Sequence, residues 1–397
     1  MGVVDLAEAE LERMSKRSER FDQDAREPRF NLSRSRVGIG TFECPPAPPE
    51  MIVQGYLPRA PGVKVGAGGG GKSTLDLYEA VHLVLGRPLF GFEVMRPGSV
   101  LILTAEDPRE IVLWRLYRLV EDLRLSRPER EHVAQHIHVE DATQFPCRFV
   151  DVDQGGRLVR TSVTEELAEA YAGAKLAAIF ADPQNAFSPG ERFMNDAEAE
   201  LMRAGAWLSG RLNCAVRFVH HSGKGNARSG IVDQYAGRGG SAGADNARFV
   251  HVLTQHTQDG DGYSAPSSCP HEALAEGRLL RLHVAKLSHG RRPAQPLWLL
   301  RHGFTFEHLR PAAVDAAEVE RERLRRLHEF LSQEGAAGVK HTRSSLDDRL
   351  RDLGMTRSEM RAAMHTALER GHLVEREIPQ GERIGARKTY LAAGVSP

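Results

Sequence analysis

The chain has 397 residues, with 53 Lys plus Arg against 53 Asp plus Glu and 41% hydrophobic residues. That length allows two or three domains, one large enough for a sizeable core, and the zero balance of fixed charge leaves only a local basic face for any nucleic-acid contact. Four scattered cysteines (Cys44, Cys147, Cys214, Cys269) exclude a C-x-x-C zinc site and a disulfide framework; with no apolar run near 18 residues and a charged N-terminus, a cytoplasmic chain without membrane span or signal peptide is expected.

Residues 1–47 form a polar arm, with one helix expected over Val4 to Ser18. From 48 to 310 apolar strand-like runs alternate with helical periodicity, the pattern of a mostly parallel α/β sheet flanked by helices. Strands are expected at Val63 to Val65, Ser99 to Thr104, His136 to Val139, Leu176 to Ala181, Ala215 to His220, Arg248 to Thr254 and Leu279 to Leu287, and helices near Pro108 to Leu125, Val163 to Ala174 and Asp196 to Arg211. After the first strand comes GAGGGGKST, then apolar residues at helical spacing from Leu75 to Leu85. Strand, glycine loop and helix are the context of a phosphate loop, and Gly66, Gly71, Lys72 and Ser73 complete the pattern G-x-x-x-x-G-K-[ST]. In such a loop the backbone N–H groups of Gly68, Gly69, Gly70 and Gly71 and of the helix start surround phosphate. Lys72 reaches the β and γ oxygens, the Ser73 hydroxyl ligates the metal and Thr74 belongs to the ATP-binding loop, so ATP and Mg²⁺ are the expected ligands.

Hydrolysis also needs a carboxylate beside the metal and a group that activates water. The apolar run Leu176 to Ala181 ends in Asp182, a metal-side candidate, although such an Asp can also start a turn before Pro183. The run SVLILT is followed by Glu106 and Asp107; Glu106 is assigned as general base, the alternative being a cap for the helix starting at Pro108. NCAVRFVHHSG ends a strand in His220 and His221, which suits contact with the γ-phosphate or simple loop hydrogen bonding, a third metal ligand at zinc-like spacing being absent. Gly223 to Asp245 is glycine-rich and weakly periodic, and reads as a long functional loop.

The region 311–397 is rich in charge and helix formers. Val319 to Glu334 sets Leu324, Leu327, Phe330 and Leu331 on one side, a second helix is expected between Thr342 and Leu353, and Thr356-x-x-Glu359 has capping-box form before a third helix ending at Arg370. His372 to Glu377 and Arg387 to Leu391 then read as a hairpin. Three helices and a hairpin resemble a small winged helix-turn-helix, in which Arg357 and Arg361 would face a DNA groove and Arg387 and Lys388 would touch phosphates. Protein docking is the alternative, because 11 basic residues stand against 8 acidic ones from Lys340 onward.

Taken together, GAGGGGKST, LILTAEDP, AAIFADP followed by FMND, VRFVHHSGKG and YAGRGGSAGADNARF resemble the RepA-type hexameric replicative helicases of plasmids and prophages and the related RecA-like AAA-family P-loop ATPases, over about Gly55 to Phe306. The resemblance implies a RecA-like core, catalytic roles for Glu106 and Lys72, metal binding by Ser73 and Asp182, γ-phosphate sensing by His220 and His221, and a homo-hexameric ring. It further implies that Arg238 is an arginine finger offered to the next subunit, unless it binds a DNA phosphate; Arg248 and Lys286 are the other candidate trans-acting cations. Lys224 and Arg228 would contact single-stranded DNA in the ring channel, with duplex DNA at the winged helix. The alternative to a motor is a nucleotide-switched regulatory ATPase. A metabolic kinase is disfavoured because no acceptor-binding constellation stands out.

Overall fold

The computed structural model describes residues 35–44, 46–190, 194–223, 232–237, 241–256, 263–310, 316–346, 349–355, 357–383 and 388–396, with the backbone alone at 194, 316–319, 351, 352, 357, 358 and 382. The chain divides after Glu50 into two compact units. In the first, the described residues include a four-residue helix, Gly40–Glu43; the helix expected over Val4 to Ser18 lies outside the described residues.

The second unit opens with a ribbon of β1 (Met51–Val53) and β2 (Leu57–Pro58), followed by β3 (Pro61–Gly66), β4 (Ser99–Thr104), β5 (Ile137–Asp141), a second ribbon of β6 (Val150–Val152) and β7 (Leu158–Arg160), β8 (Leu176–Asp182), β9 (Ala215–His221), β10 (Phe249–Gln255), β11 (Leu279–Leu287), β12 (Leu297–His302) and β13 (Thr305–Leu309). Nine of these form one sheet in the order β13-β12-β11-β10-β3-β9-β8-β4-β5. From β10 to β5 the neighbours are parallel; β11, β12 and β13 extend the sheet antiparallel. This is the mixed α/β, mostly parallel sheet that a RecA-like P-loop core requires.

Both faces of the parallel part are covered, so its strands are apolar on both sides. On β4, Val100 and Ile102 pack beneath the helix Lys72–Leu85 with Leu75, Leu83 and Phe180, while Leu101 and Leu103 face the helix Met194–Leu212 with Leu201, Leu208 and Phe218. The chain leaves β3, crosses over two strand positions to β4, returns through β8 and β9, and passes to the far side of β3 at β10. The sheet therefore switches direction beside β3, and its carboxyl edge there is where α/β sheets hold ligands.

Two expectations are corrected, and one hairpin is added. His136 ends a helix, Arg127–His136, and the strand starts at Ile137; Ser126 and Glu129 close a capping box on that helix, a signal stronger than the apolar run behind it. The helix from Val163 stops at Ala170 and gives way to a turn. The hairpin of β12 and β13 was not anticipated, because its strands are short and flanked by prolines; its mark in the sequence is Gly303, with φ of +60°, at a tight turn.

Beyond the sheet the chain forms the helix Ala316–Ala336, the short helices Arg343–Leu346 and Leu350–Leu353, the helix Arg357–Glu369, and an antiparallel pair, β14 (Leu373–Glu377) and β15 (Thr389–Ala393). The second expected helix is thus described as two short pieces, and Thr356 lies outside the described residues. Leu324, Leu327, Leu331, Leu346, Met360, Met364, Leu373 and Leu391 make a hydrophobic cluster of their own.

Candidate nucleotide-binding site

The glycine loop joins β3 to the helix Lys72–Leu85. Gly69 and Gly71 take φ of +70° and +89°, a region closed to most side chains, and Gly71 is the residue that caps the helix. The loop therefore turns sharply enough to aim the first N–H groups of the helix at its own concavity. Lys72 is buried there. Its Nζ donates to the carbonyl oxygens of Gly66 at 3.0 Å and Ala67 at 2.8 Å. Burial lowers its pKa, opposed by the nearby charges of Asp182, Asp76 and Glu106.

Asp182 closes β8, which is separated from β3 by β9. The helix nevertheless starts close enough for the Ser73 hydroxyl to donate to Asp182 Oδ2 at 2.5 Å. Burial pushes the Asp182 carboxyl up to about 6, against the lowering effect of the Ser73 bond. Hydroxyl plus carboxylate is a donor set of hard oxygens, which fits Mg²⁺.

At the end of β4 the two acids part company. Asp107 accepts from Arg115 Nη1 at 2.5 Å, while the Glu106 side chain is 61% exposed and lies 3.8 Å from His221 Nε2. One carboxylate is thus committed to its own helix and the other is presented beside β9. His220 lies against Gly237: a β-carbon on that glycine would fall 2.8 Å from the imidazole Cδ2. The same segment pairs with the end of β9 through a bridge between Ser222 and Gly237.

Sequence reasoning missed a buried ionic cluster directly beneath the loop. Lys64 on β3, Arg217 on β9, and Asp76 and Glu79 on the phosphate-loop helix are all buried. Lys64 Nζ donates to Asp76 Oδ1 and Glu79 Oε1, both at 2.7 Å; Arg217 donates to Glu79 Oε2 at 2.5 Å and also to Asp76. The Tyr56 hydroxyl donates to Glu79 at 2.8 Å, and the Arg217 guanidinium lies 3.9 Å over the Phe180 ring. Burial alone would raise the Glu79 carboxyl, but Arg217 and Lys64 hold it below its ordinary value. His251 on β10 stacks on Tyr56 with centroids 4.2 Å apart, and burial together with Arg217 lowers its pKa to about 3. A signal was present: single cations at inward positions of the apolar strands GVKV and AVRFV, with two acids at i,i+3 on the facing helix.

The remaining predicted residues fall elsewhere. Lys224, Arg228, Arg238 and Arg387 lie outside the described residues, as does the side chain of Arg357, which opens the helix Arg357–Glu369. Arg361 and Lys388 are exposed. Lys286 donates to the carbonyl oxygens of Ala244 at 2.8 Å and Asp245 at 2.9 Å, so its ammonium holds a segment of its own chain.

A protein-family model for an AAA domain matches residues 26–227, just over half of the 397 residues. The glycine loop, the strand-end carboxylates and the strands β3, β4, β5, β8 and β9 fall within that span, and the chain belongs to the AAA domain family of nucleotide-binding P-loop ATPases.

Proposed function

We propose that this protein is an ATP-hydrolysing, ring-forming DNA motor, the replicative helicase of a mobile element, similar to the RepA-type hexameric helicases. The observation that carries the catalytic part is the bond from Ser73 to Asp182, with Lys72 in the same loop and Glu106 presented beside His221.

On this reading Ser73 and Asp182 hold Mg²⁺, which supplies charge neutralisation for phosphoryl transfer. Lys72 exchanges the carbonyls of Gly66 and Ala67 for phosphate oxygens. Glu106, exposed and close to ordinary solvent, accepts the proton of the attacking water. His221, at the end of β9 beside Glu106, touches the γ-phosphate, and its neighbour His220, on the opposite face of the strand, passes the loss of that phosphate to the segment packed on it. Arg238 completes the site of a neighbouring subunit, which makes turnover depend on ring assembly. Lys224 and Arg228 track single-stranded DNA, and the domain at 311–397, with Arg357, Arg361, Arg387 and Lys388, acts as a winged helix on duplex.

The decisive experiment is steady-state ATP turnover with and without single-stranded DNA, together with strand displacement on a forked duplex, for the natural chain and Glu106→Gln. DNA-stimulated turnover and unwinding, both lost in the variant while ATP binding survives, are the expected results. Turnover indifferent to DNA, with site-selective duplex binding and no unwinding, would replace the motor by a nucleotide-switched regulatory ATPase.

A further inference from the structure

Between β3, β9, β10 and the helix Met194–Leu212 lies a cavity of about 20 Å³, with Val63, Val65 and Val250 as its apolar floor. That is room for one water molecule, provided polar partners face it. They do. Gln184 is buried and, among the described residues, its Oε1 has no hydrogen-bond partner; Glu198, also buried, and His220 complete the polar wall with Tyr235. An unsatisfied amide oxygen in a polar space large enough for water is a hydration site in the ordinary economy of protein interiors.

Each wall belongs to a different part of the site. Gln184 stands two residues after Asp182, and His220 ends β9. Glu198 belongs to the helix Met194–Leu212, and its Oε2 accepts the Gly243 N–H at 3.2 Å. A β-carbon on Gly243 would lie 3.0 Å from that same Oε2, so a side chain there would push the carboxylate off its bond. Gly237 is packed on His220, and the Tyr235 hydroxyl donates to Asp245 at 2.9 Å. The stretches 232–237 and 241–246 are therefore held from below by Glu198 and from the side by His220. Burial pushes the Glu198 carboxyl up to about 7, against the Gly243 bond, so a neutral form that both donates and accepts is accessible near neutrality.

We propose that Gln184, Glu198 and His220 share one buried water, and that Glu198 is a positioning residue which seats the 241–246 stretch through Gly243 and keeps His220 in register with the end of β8. This rests on the ATPase reading for its kinetic consequence, but the seating itself is read without activity.

The test uses the full chain with Glu198→Ala, the isosteric Glu198→Gln, and Lys72→Ala as control. Hydrogen exchange should show the Gly243 amide opening at least about tenfold faster in Glu198→Ala than in the natural chain, and returning to near the natural rate in Glu198→Gln. In turnover, Glu198→Ala should lower kcat about tenfold with KM for ATP changed less than about twofold, and Glu198→Gln should recover most of it. Unchanged exchange at Gly243, a rise in KM with kcat preserved, or a Glu198→Gln variant no better than Glu198→Ala would each overturn the proposal. A natural chain without Lys72-dependent turnover would instead overturn the ATPase reading, and the exchange result would still decide the seating.

Discussion

Replacing Arg217 by Met removes one of two cations from a cluster in which Lys64 and Arg217 face Asp76 and Glu79. What remains is one positive charge against two negative ones, all buried, with Asp76 Oδ2 already lacking a hydrogen-bond partner among the described residues. Two charge-assisted hydrogen bonds and the contact over Phe180 at 3.9 Å disappear together. Breaking a buried ionic network by deleting one member costs on the order of 3–5 kcal/mol, most of it the stranded charge rather than the lost attraction. The second variant, Arg217→Met with Glu79→Gln, restores neutrality with Lys64 paired to Asp76, and should recover more than half of the loss. Urea unfolding followed by the fluorescence of Trp114, Trp207 and Trp298 measures both, and the difference between double and single variants isolates the coupling. A single variant that loses less than about 1 kcal/mol, or a double variant that loses the sum of the two single changes, would refute the reasoning, because either outcome means that the charges are not felt as a group.

Further outcomes follow from the same geometry. Lys72→Ala should abolish ATP turnover, and Asp182→Asn should shift its dependence on Mg²⁺ to higher concentration, both read in a steady-state phosphate-release assay. Glu106→Gln should lower kcat by about 100-fold or more with ATP binding retained, whereas Asp107→Asn, which disturbs only the pair with Arg115, should stay within about tenfold of the natural chain. The Glu198 carboxyl is raised by burial from 4.5 to about 7, so the folded chain holds that proton more tightly than the unfolded one. Its stability contribution is complete below about pH 4.5 and is lost as pH rises through 7, by roughly 3 kcal/mol in total; thermal melts of the natural chain should fall more steeply over that window than those of Glu198→Gln, and equal slopes would count against the assignment. Gly237→Ala should lower both melting temperature and kcat, because its methyl would meet the His220 ring.

Much of the parallel sheet was legible because its strands are covered on both faces, which leaves continuous apolar runs such as SVLILT and LAAIFA bounded by polar residues. The phosphate loop was legible for a different reason: its function needs backbone where other loops carry side chains, so glycine writes it into the sequence. The bond between Ser73 and Asp182 was not readable as geometry, since 109 residues separate them and only the strand order brings them together. The cluster of Lys64, Asp76, Glu79 and Arg217 was hidden for the opposite reason. Charges in a sequence read as surface until a second strand and a helix are known to cover them. Glu198 is similar: on a helical pattern rich in Ala and Glu nothing distinguishes the one acid that turns inward.

The amine of Lys72 is not waiting in solvent; it is tied to the carbonyls of Gly66 and Ala67. The loop thus carries a ligand of its own, and an incoming triphosphate must compete with the protein's backbone for the same cation. Affinity for nucleotide is then a difference between two sets of bonds to one nitrogen, and the loop stays folded around its own lysine between turnovers instead of being built anew at each encounter. A Lys72→Met chain, which offers no cation to either side, should therefore lose loop order as well as affinity.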